Sequence, residues 1–143
     1  MEIKFEVLGK PAHQQRHRHF RRANFVQLYD PSKEDKHDFL SVAMNNKPSV
    51  PFDQPLEVTL DLFFPRPKSH YRTGKYAGML KDNAPKWHIA KPDSDNLAKF
   101  VMDSLNKKFW RDDSIVCSLI VYKRYSETPR TEVTINTILD DCI

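Results

Sequence analysis

The sequence predicts an α+β fold: one domain over residues 1–143, built as a small mixed β-sheet with two helices packed on it, in the order β-α-β-α-β-β. Three observations predict it. Three segments carry the apolar-polar alternation of strands and a fourth is apolar on both faces, two carry apolar residues at helical spacing, and the prolines fall between these segments or, as Pro31, at a helix start. Hydrophobic residues make up 39% and charged residues 29%, an ordinary balance for a folded chain that argues against disorder. The length suffices for one modest core and not for two.

Each element follows in order. In Met1–Leu8, residues Ile3, Phe5 and Val7 alternate with Glu2, Lys4 and Glu6, a half-buried strand that Gly9-Lys10-Pro11 ends. Ala12 to Leu28 is basic and aromatic without a clear period and reads as a loop or irregular excursion. Asp30-Pro31 reads as an N-cap followed by proline at the first helical position, so a helix is expected from Pro31 to Met44 with Phe39, Leu40 and Ala43 on one face. The proline-bearing stretch Asn45–Pro55 connects it to Leu56–Phe64, where Leu56, Val58, Leu60, Leu62 and Phe64 alternate with Glu57, Thr59, Asp61 and Phe63. Pro65 and Pro67 stop that strand.

Arg66–Lys91 is a long polar segment holding Gly74 and Gly78, of a length that usually marks a functional or mobile loop. The second helix begins near Ser94–Asn96, with Leu97, Phe100, Val101 and Leu105 as its apolar stripe, and ends around Asn106–Lys108. Ser114–Tyr125 is apolar on both alternating faces, which predicts a central strand. After a turn at Glu127–Arg130, Glu132–Leu139 alternates again with Val133 and Ile135 facing inward.

Several classes of function are excluded or disfavoured. No apolar run approaches the roughly 20 residues that span a bilayer, and the alternating charges of Met1–Leu8 are unlike a signal peptide, so a cytoplasmic protein is the default expectation. Cys117 and Cys142 show no paired spacing, which suggests neither a disulfide framework nor a zinc site. The formal net charge of +4 says little alone, but its distribution says more. Acids gather between Asp93 and Asp113, while bases gather at Arg16–Arg22 and from Arg66 to Lys91, the layout of arms for a polyanion around a cation site.

The informative segment reads Lys91-Pro-Asp-Ser-Asp-Asn-Leu-Ala-Lys99, then Asp103, then Phe109-Trp-Arg-Asp-Asp113. Pro92 pushes Lys91 toward an extended conformation, and if extension persists Asp93 and Asp95 project to one side. Lys99 follows Asp95 by one helical turn. Asp112 and Asp113 come just before the next strand. Two carboxylates about 4 Å apart repel by roughly 4 kcal/mol at an effective dielectric near 20. Lys99 offsets only one charge, whereas a divalent cation with a preference for oxygen ligands, magnesium or manganese, neutralises the cluster far better. Such a cation activates water and stabilises charge on a phosphoryl group. The plain structural alternative makes Asp93, Ser94 and Asp95 an N-cap with first-turn acids and Asp112-Asp113 a turn before a strand. Other motifs fail. An EF-hand starting at Asp93 would place Ala98 where glycine is needed and Ser104 where the bidentate glutamate belongs, and three glycines in the chain build no phosphate-binding loop.

On Pro92-Asp93-Ser94-Asp95-Asn96-Leu97-Ala98-Lys99, Asp103, Leu105 and Phe109-Trp110-Arg111-Asp112-Asp113, the sequence resembles the RusA family of Holliday-junction resolvases. The resemblance implies a small mixed α/β homodimer that cleaves four-way DNA junctions with magnesium by symmetric nicks. It implies Asp93, Asp95 and Asp113 as catalytic, metal-binding acids and Lys99 as the catalytic lysine, with Asp112 a weaker candidate; Asp103 itself reads as a structural residue outside the metal's ligands. The family often has glycine in the turn before the Phe-Trp pair, where this chain runs Asn106-Lys107-Lys108. A homodimer also suits the two-fold symmetry of a junction that needs two matched nicks.

The basic arms complete the expectation. Arg16, Arg18, Arg21 and Arg22, with Arg72, Lys75, Lys86 and Lys91, are candidate phosphate contacts that position DNA without reading bases. Trp87 and Tyr71 could stack on an exposed base at a branch point. Two other readings remain: a non-catalytic DNA-binding module whose acids hold a structural ion, and a nuclease of other branched nucleic acids.

Overall fold

The computed structural model describes residues 1–23 and 25–139. Its main sheet has four strands: β1 (Glu2–Leu8), β4 (Leu56–Phe64), β5 (Val116–Tyr125) and β6 (Arg130–Thr137), in spatial order β1-β6-β4-β5. β4 runs parallel to β5, and the other neighbours are antiparallel, so the sheet is mixed as expected. The α-helices among the described residues are α1 (Lys33–Ala43) and α2 (Ser94–Leu105). No helix is long and apolar enough to cross a membrane among the described residues.

β4 shows why the alternation was decisive. Leu56, Val58, Leu60, Leu62 and Phe64 are all buried, while Glu57, Thr59, Asp61 and Phe63 on the other face are only partly covered. The buried face meets Phe39 and Ala43 of α1, Leu97, Phe100, Val101 and Leu105 of α2, and Val133 and Ile135 of β6 in one core. Burying a side chain of this size contributes roughly 1.5–3 kcal/mol, so the amphipathic stripe of α2 is held against the sheet by packing.

Four expectations are corrected. Ser114–Tyr125 is not a central strand: β5 is an edge, and its Cys117, Leu119 and Tyr122 are exposed. Apolar residues on both faces of a strand therefore did not mean burial on both. β6, between β1 and β4, holds an interior place instead. Second, Ala12–Leu28 is not a loop throughout, because β2 (Arg18–Arg22) and β3 (Phe25–Tyr29) form an antiparallel hairpin outside the main sheet. Third, Asp30 does not cap α1. Ser32 holds the cap position, and the Asp30 carboxylate accepts from the Ser32 backbone N–H at 2.9 Å. Fourth, Arg66–Lys91 has local structure, with short 3₁₀ turns at Lys68–His70 and Gly74–Tyr76. Its end runs along the outer edge of β5, where His88 donates its backbone N–H to the Lys123 carbonyl and Tyr125 donates to the Lys86 carbonyl, each at 3.0 Å.

Candidate active site

Asp93 sits at the N-cap of α2 in an extended conformation, yet its side chain makes no capping hydrogen bond. The carboxylate is exposed and pairs with no cation among the described residues. That removes the plain capping account of this residue, which requires the side chain to accept from the first turn. Asp95 is also exposed, at the second residue of α2. The helix begins at Ser94, so the extended geometry that would carry Asp93 and Asp95 to one side does not continue through Asp95, and helical positions two apart do not share a face. Asp95, Lys99 and Asp103 do share one, at successive four-residue steps.

Asp93 instead borders a groove of about 340 Å³ lined by Lys10, His13, Lys91, Pro92 and Asn96. Lys10 and His13 come from the segment after β1, which is fastened to the helix start by the Gln14 backbone N–H on the Asn96 carbonyl at 3.0 Å. Sequence reasoning read Gly9-Lys10-Pro11 only as a strand stop and His13 only as part of a basic arm. Their place beside Asp93 depends on a contact across more than eighty residues of chain, for which no local spacing is a signal.

Asp113 is built by the other half of the motif. Phe109 and Trp110 have no exposure, and the Phe52 N–H on the Phe109 carbonyl (2.9 Å) and the Arg111 N–H on the Phe52 carbonyl (2.8 Å) stitch their turn to the segment before β4. From this fixed position Trp110 Nε1 donates to Asp113 Oδ1 at 2.8 Å. Burial pushes the Asp113 carboxyl up; the Trp110 hydrogen bond opposes this, and the charges of Asp103 and Asp112 add to the rise. Asp112 is engaged locally: hydrogen bonds from Ser114 hold it below the usual carboxylate range, and Lys107 lies 3.4 Å away. Asp103 accepts from Lys36 of α1 at 3.3 Å.

Asp113 thus stands near Asp103, while Asp95 lies about 12 Å up the helix at 1.5 Å per residue. Among the described residues no three His, Cys, Asp or Glu side chains gather closely enough to hold a metal ion, so Asp93, Asp95 and Asp113 do not form a preassembled three-donor cage. The donor chemistry nevertheless suits magnesium, which is usually held by one or two carboxylates with waters and substrate phosphates completing its shell.

The cations sort by surroundings. Arg16, Arg18 and Arg21 are exposed on and before the hairpin; the side chain of Arg22 lies outside the described residues. Arg72 is paired with Asp82 at 2.9 Å and lies over the Tyr76 ring, as does Lys75. Lys86 and Lys91 are exposed. Trp87 is 53% exposed and flanks Arg124, which also lies 4.5 Å from the Tyr122 ring centre and is ion-paired to Asp61. Tyr71 is half-buried and bridges Leu80. His88 stacks on Phe64 at 3.9 Å, and burial, followed by the charges of Lys123 and Lys10, holds its pKa down.

A mixed sheet carries exposed acids at the start of α2, edged by a groove with Lys10 and Lys91 and by a hairpin with exposed arginines. Residues 9–136 match the family model described as Endodeoxyribonuclease RusA, and the chain belongs to that family of endodeoxyribonucleases. It is 37% identical over 141 residues to "Uncharacterized protein YqaN" of Bacillus subtilis (strain 168), covering 95% of this chain and 96% of that protein. It is 27% identical over 140 residues to "Crossover junction endodeoxyribonuclease rusA" of Lactococcus phage r1t, covering 96% and 98%.

Proposed function

We propose that this chain is a magnesium-dependent endonuclease that resolves Holliday junctions, four-way DNA, by paired symmetric nicks in recombination and repair. The observation that carries the reading is the carboxylate of Asp93 at the start of α2, uncapped and without an ion pair among the described residues, beside the groove of Lys10, His13 and Lys91. Two exposed acids, and the Lys10 and Lys91 side chains beside them, make no ion pair among the described residues, which suits a substrate that brings phosphate and a divalent cation together.

In this reading Asp93, Asp95 and Asp113 are the metal-binding acids, with manganese able to replace magnesium. When bound, the cation supplies the Lewis acidity that phosphodiester hydrolysis needs at neutral pH. The chain's own groups do the rest. Lys10, His13 and Lys91 hold the phosphodiester against the helix start. A water attacks the phosphorus, the bond to the leaving oxygen breaks, and Lys99, which makes no ion pair among the described residues, stabilises the charge that develops. Arg16, Arg18, Arg21, Arg22, Arg72, Lys75, Lys86 and Lys91 hold the flanking duplexes by their phosphates. One acidic site per chain makes one nick, so a two-fold homodimer supplies the matched pair.

The test is a side-by-side cleavage assay on a synthetic four-way junction, a flap, linear duplex and RNA, with magnesium, manganese or chelator. The reading predicts metal-dependent nicks at symmetric positions in the four-way junction, with the other substrates cut far more slowly. Binding without cleavage in either metal would make the chain a non-catalytic module. Equal cutting of flaps or RNA would remove the junction from the reading.

A further inference from the structure

We propose that the β2–β3 hairpin is a DNA arm that enters the major groove of the duplex beside the acidic site. The proposal rests on the DNA-cleavage reading above and adds a contact with base edges, where the sequence suggested phosphate contacts alone.

The hairpin has no interior. Every described side chain from Arg16 to Tyr29 is exposed, including Phe20 (40%), Phe25 (56%), Val26 (57%) and Leu28 (57%). An isolated two-stranded hairpin is marginal in water, and apolar residues on both of its faces mark it as a surface that functions with a partner against it. Charge identifies the partner. Ala12–Tyr29 contains no aspartate or glutamate but holds Arg16, Arg18, Arg21 and Arg22 together with His13, His17 and His19. A polyanion is the complementary surface, and a second copy of the same acid-free hairpin is not.

Shape agrees. A two-stranded ribbon fits a major groove about 12 Å wide, and five residues per strand extend about 17 Å, enough to traverse it. The register pairs Arg18 with Tyr29 and Phe20 with Gln27 on one face, and His19 with Leu28 and Arg21 with Val26 on the other. Each face therefore combines a cation for guanine or phosphate with an amide or apolar group suited to adenine or the thymine methyl.

The feet of the hairpin are tied to the site. Its leading foot is held by the Gln14 N–H on the Asn96 carbonyl and by the Gln15 N–H on Ser32 Oγ at 2.9 Å. Its trailing foot is held by Asp30, which accepts from Gln14 Nε2 at 2.9 Å and from Lys36 at 2.8 Å. Asn96 adjoins Asp95. An arm seated in the groove thereby sets which phosphate meets the helix start.

The test uses full-length protein carrying Asp95→Asn, so that bound DNA is not cut, with and without the further pair Arg18→Ser and Arg21→Ser. All the altered side chains are exposed. Dimethyl sulfate probing of a bound four-way junction reports guanine N7 in the major groove. The expected result is N7 protection within about half a helical turn of the nick, lost in the arginine variant, with affinity down about tenfold or more and a salt slope shallower by about 2. Bound junction with N7 open, protection unchanged by the variant, or protection confined to adenine N3 in the minor groove overturns the arm while leaving the nuclease reading intact. An arginine variant that loses its oligomeric state with unchanged N7 reactivity assigns the hairpin to a second copy and also overturns it. Failure of the Asp95→Asn protein to bind any DNA overturns both readings.

Discussion

Trp110 Nε1 donates to Asp113 Oδ1 at 2.8 Å from a ring with no solvent exposure, so one residue serves the core and the acidic site together. Trp110→Phe keeps an aromatic ring but leaves Asp113 without this donor, while burial and the charges of Asp103 and Asp112 still raise its carboxyl. The expected cost is about 1–3 kcal/mol of stability, with junction nicking down by about tenfold or more at full folding. Phe109→Leu, at an equally buried neighbour, should lose comparable stability and change nicking by less than about threefold. Chemical denaturation and single-turnover nicking of both variants check this.

The foot of the hairpin should respond to acid. Burial alone would raise the Asp30 carboxyl, but hydrogen bonds from Lys36, Gln14 and Ser32 bring it from the ordinary 3.8 to about 2. A depressed folded value means the unfolded chain takes up the proton first, so this contribution is complete above about pH 4 and is lost as pH falls toward 2. Lys36→Met should reduce stability at neutral pH by about 1–2 kcal/mol, after allowance for solvent screening, and flatten the pH dependence between 4 and 2. Urea unfolding at a series of pH values measures both.

The turn between α2 and the Phe-Trp pair holds Lys107 in the left-handed region at φ +65. A side chain in that conformation costs about 1 kcal/mol, and the exposed Lys107–Asp112 pair at 3.4 Å offsets little of it. Lys107→Gly is therefore expected to raise stability by roughly 0.5–1 kcal/mol, read as a higher denaturation midpoint, with nicking unchanged.

What the sequence made legible follows where local chemistry and burial agree. Leu56–Phe64 alternates and is buried on one face; Leu97, Phe100, Val101 and Leu105 keep helical spacing and face the core. β5 misled because an apolar pattern reports what a strand could bury, and Leu119 and Tyr122 stand exposed on the outermost strand of the sheet. The hairpin was hidden because Arg18–Arg22 and Phe25–Tyr29 have no polar face and no apolar face to alternate. At the site, the spacing of Asp93, Asp95 and Lys99 was visible. Lys10 and His13 were not, because the Gln14–Asn96 hydrogen bond that brings them there is a tertiary event.

The central claim is that the acids at the start of α2 carry phosphodiester cleavage. Its most direct test is Asp95→Asn, assayed for magnesium-dependent nicking of a four-way junction and, in parallel, for junction binding. The substitution keeps size and fold at an exposed position while removing one charge. The prediction is loss of nicking by a factor of about 1,000 or more, with binding unchanged or tighter because a repulsive charge near the phosphates is gone. Nicking at the wild-type rate in the Asp95→Asn protein would contradict the proposed site.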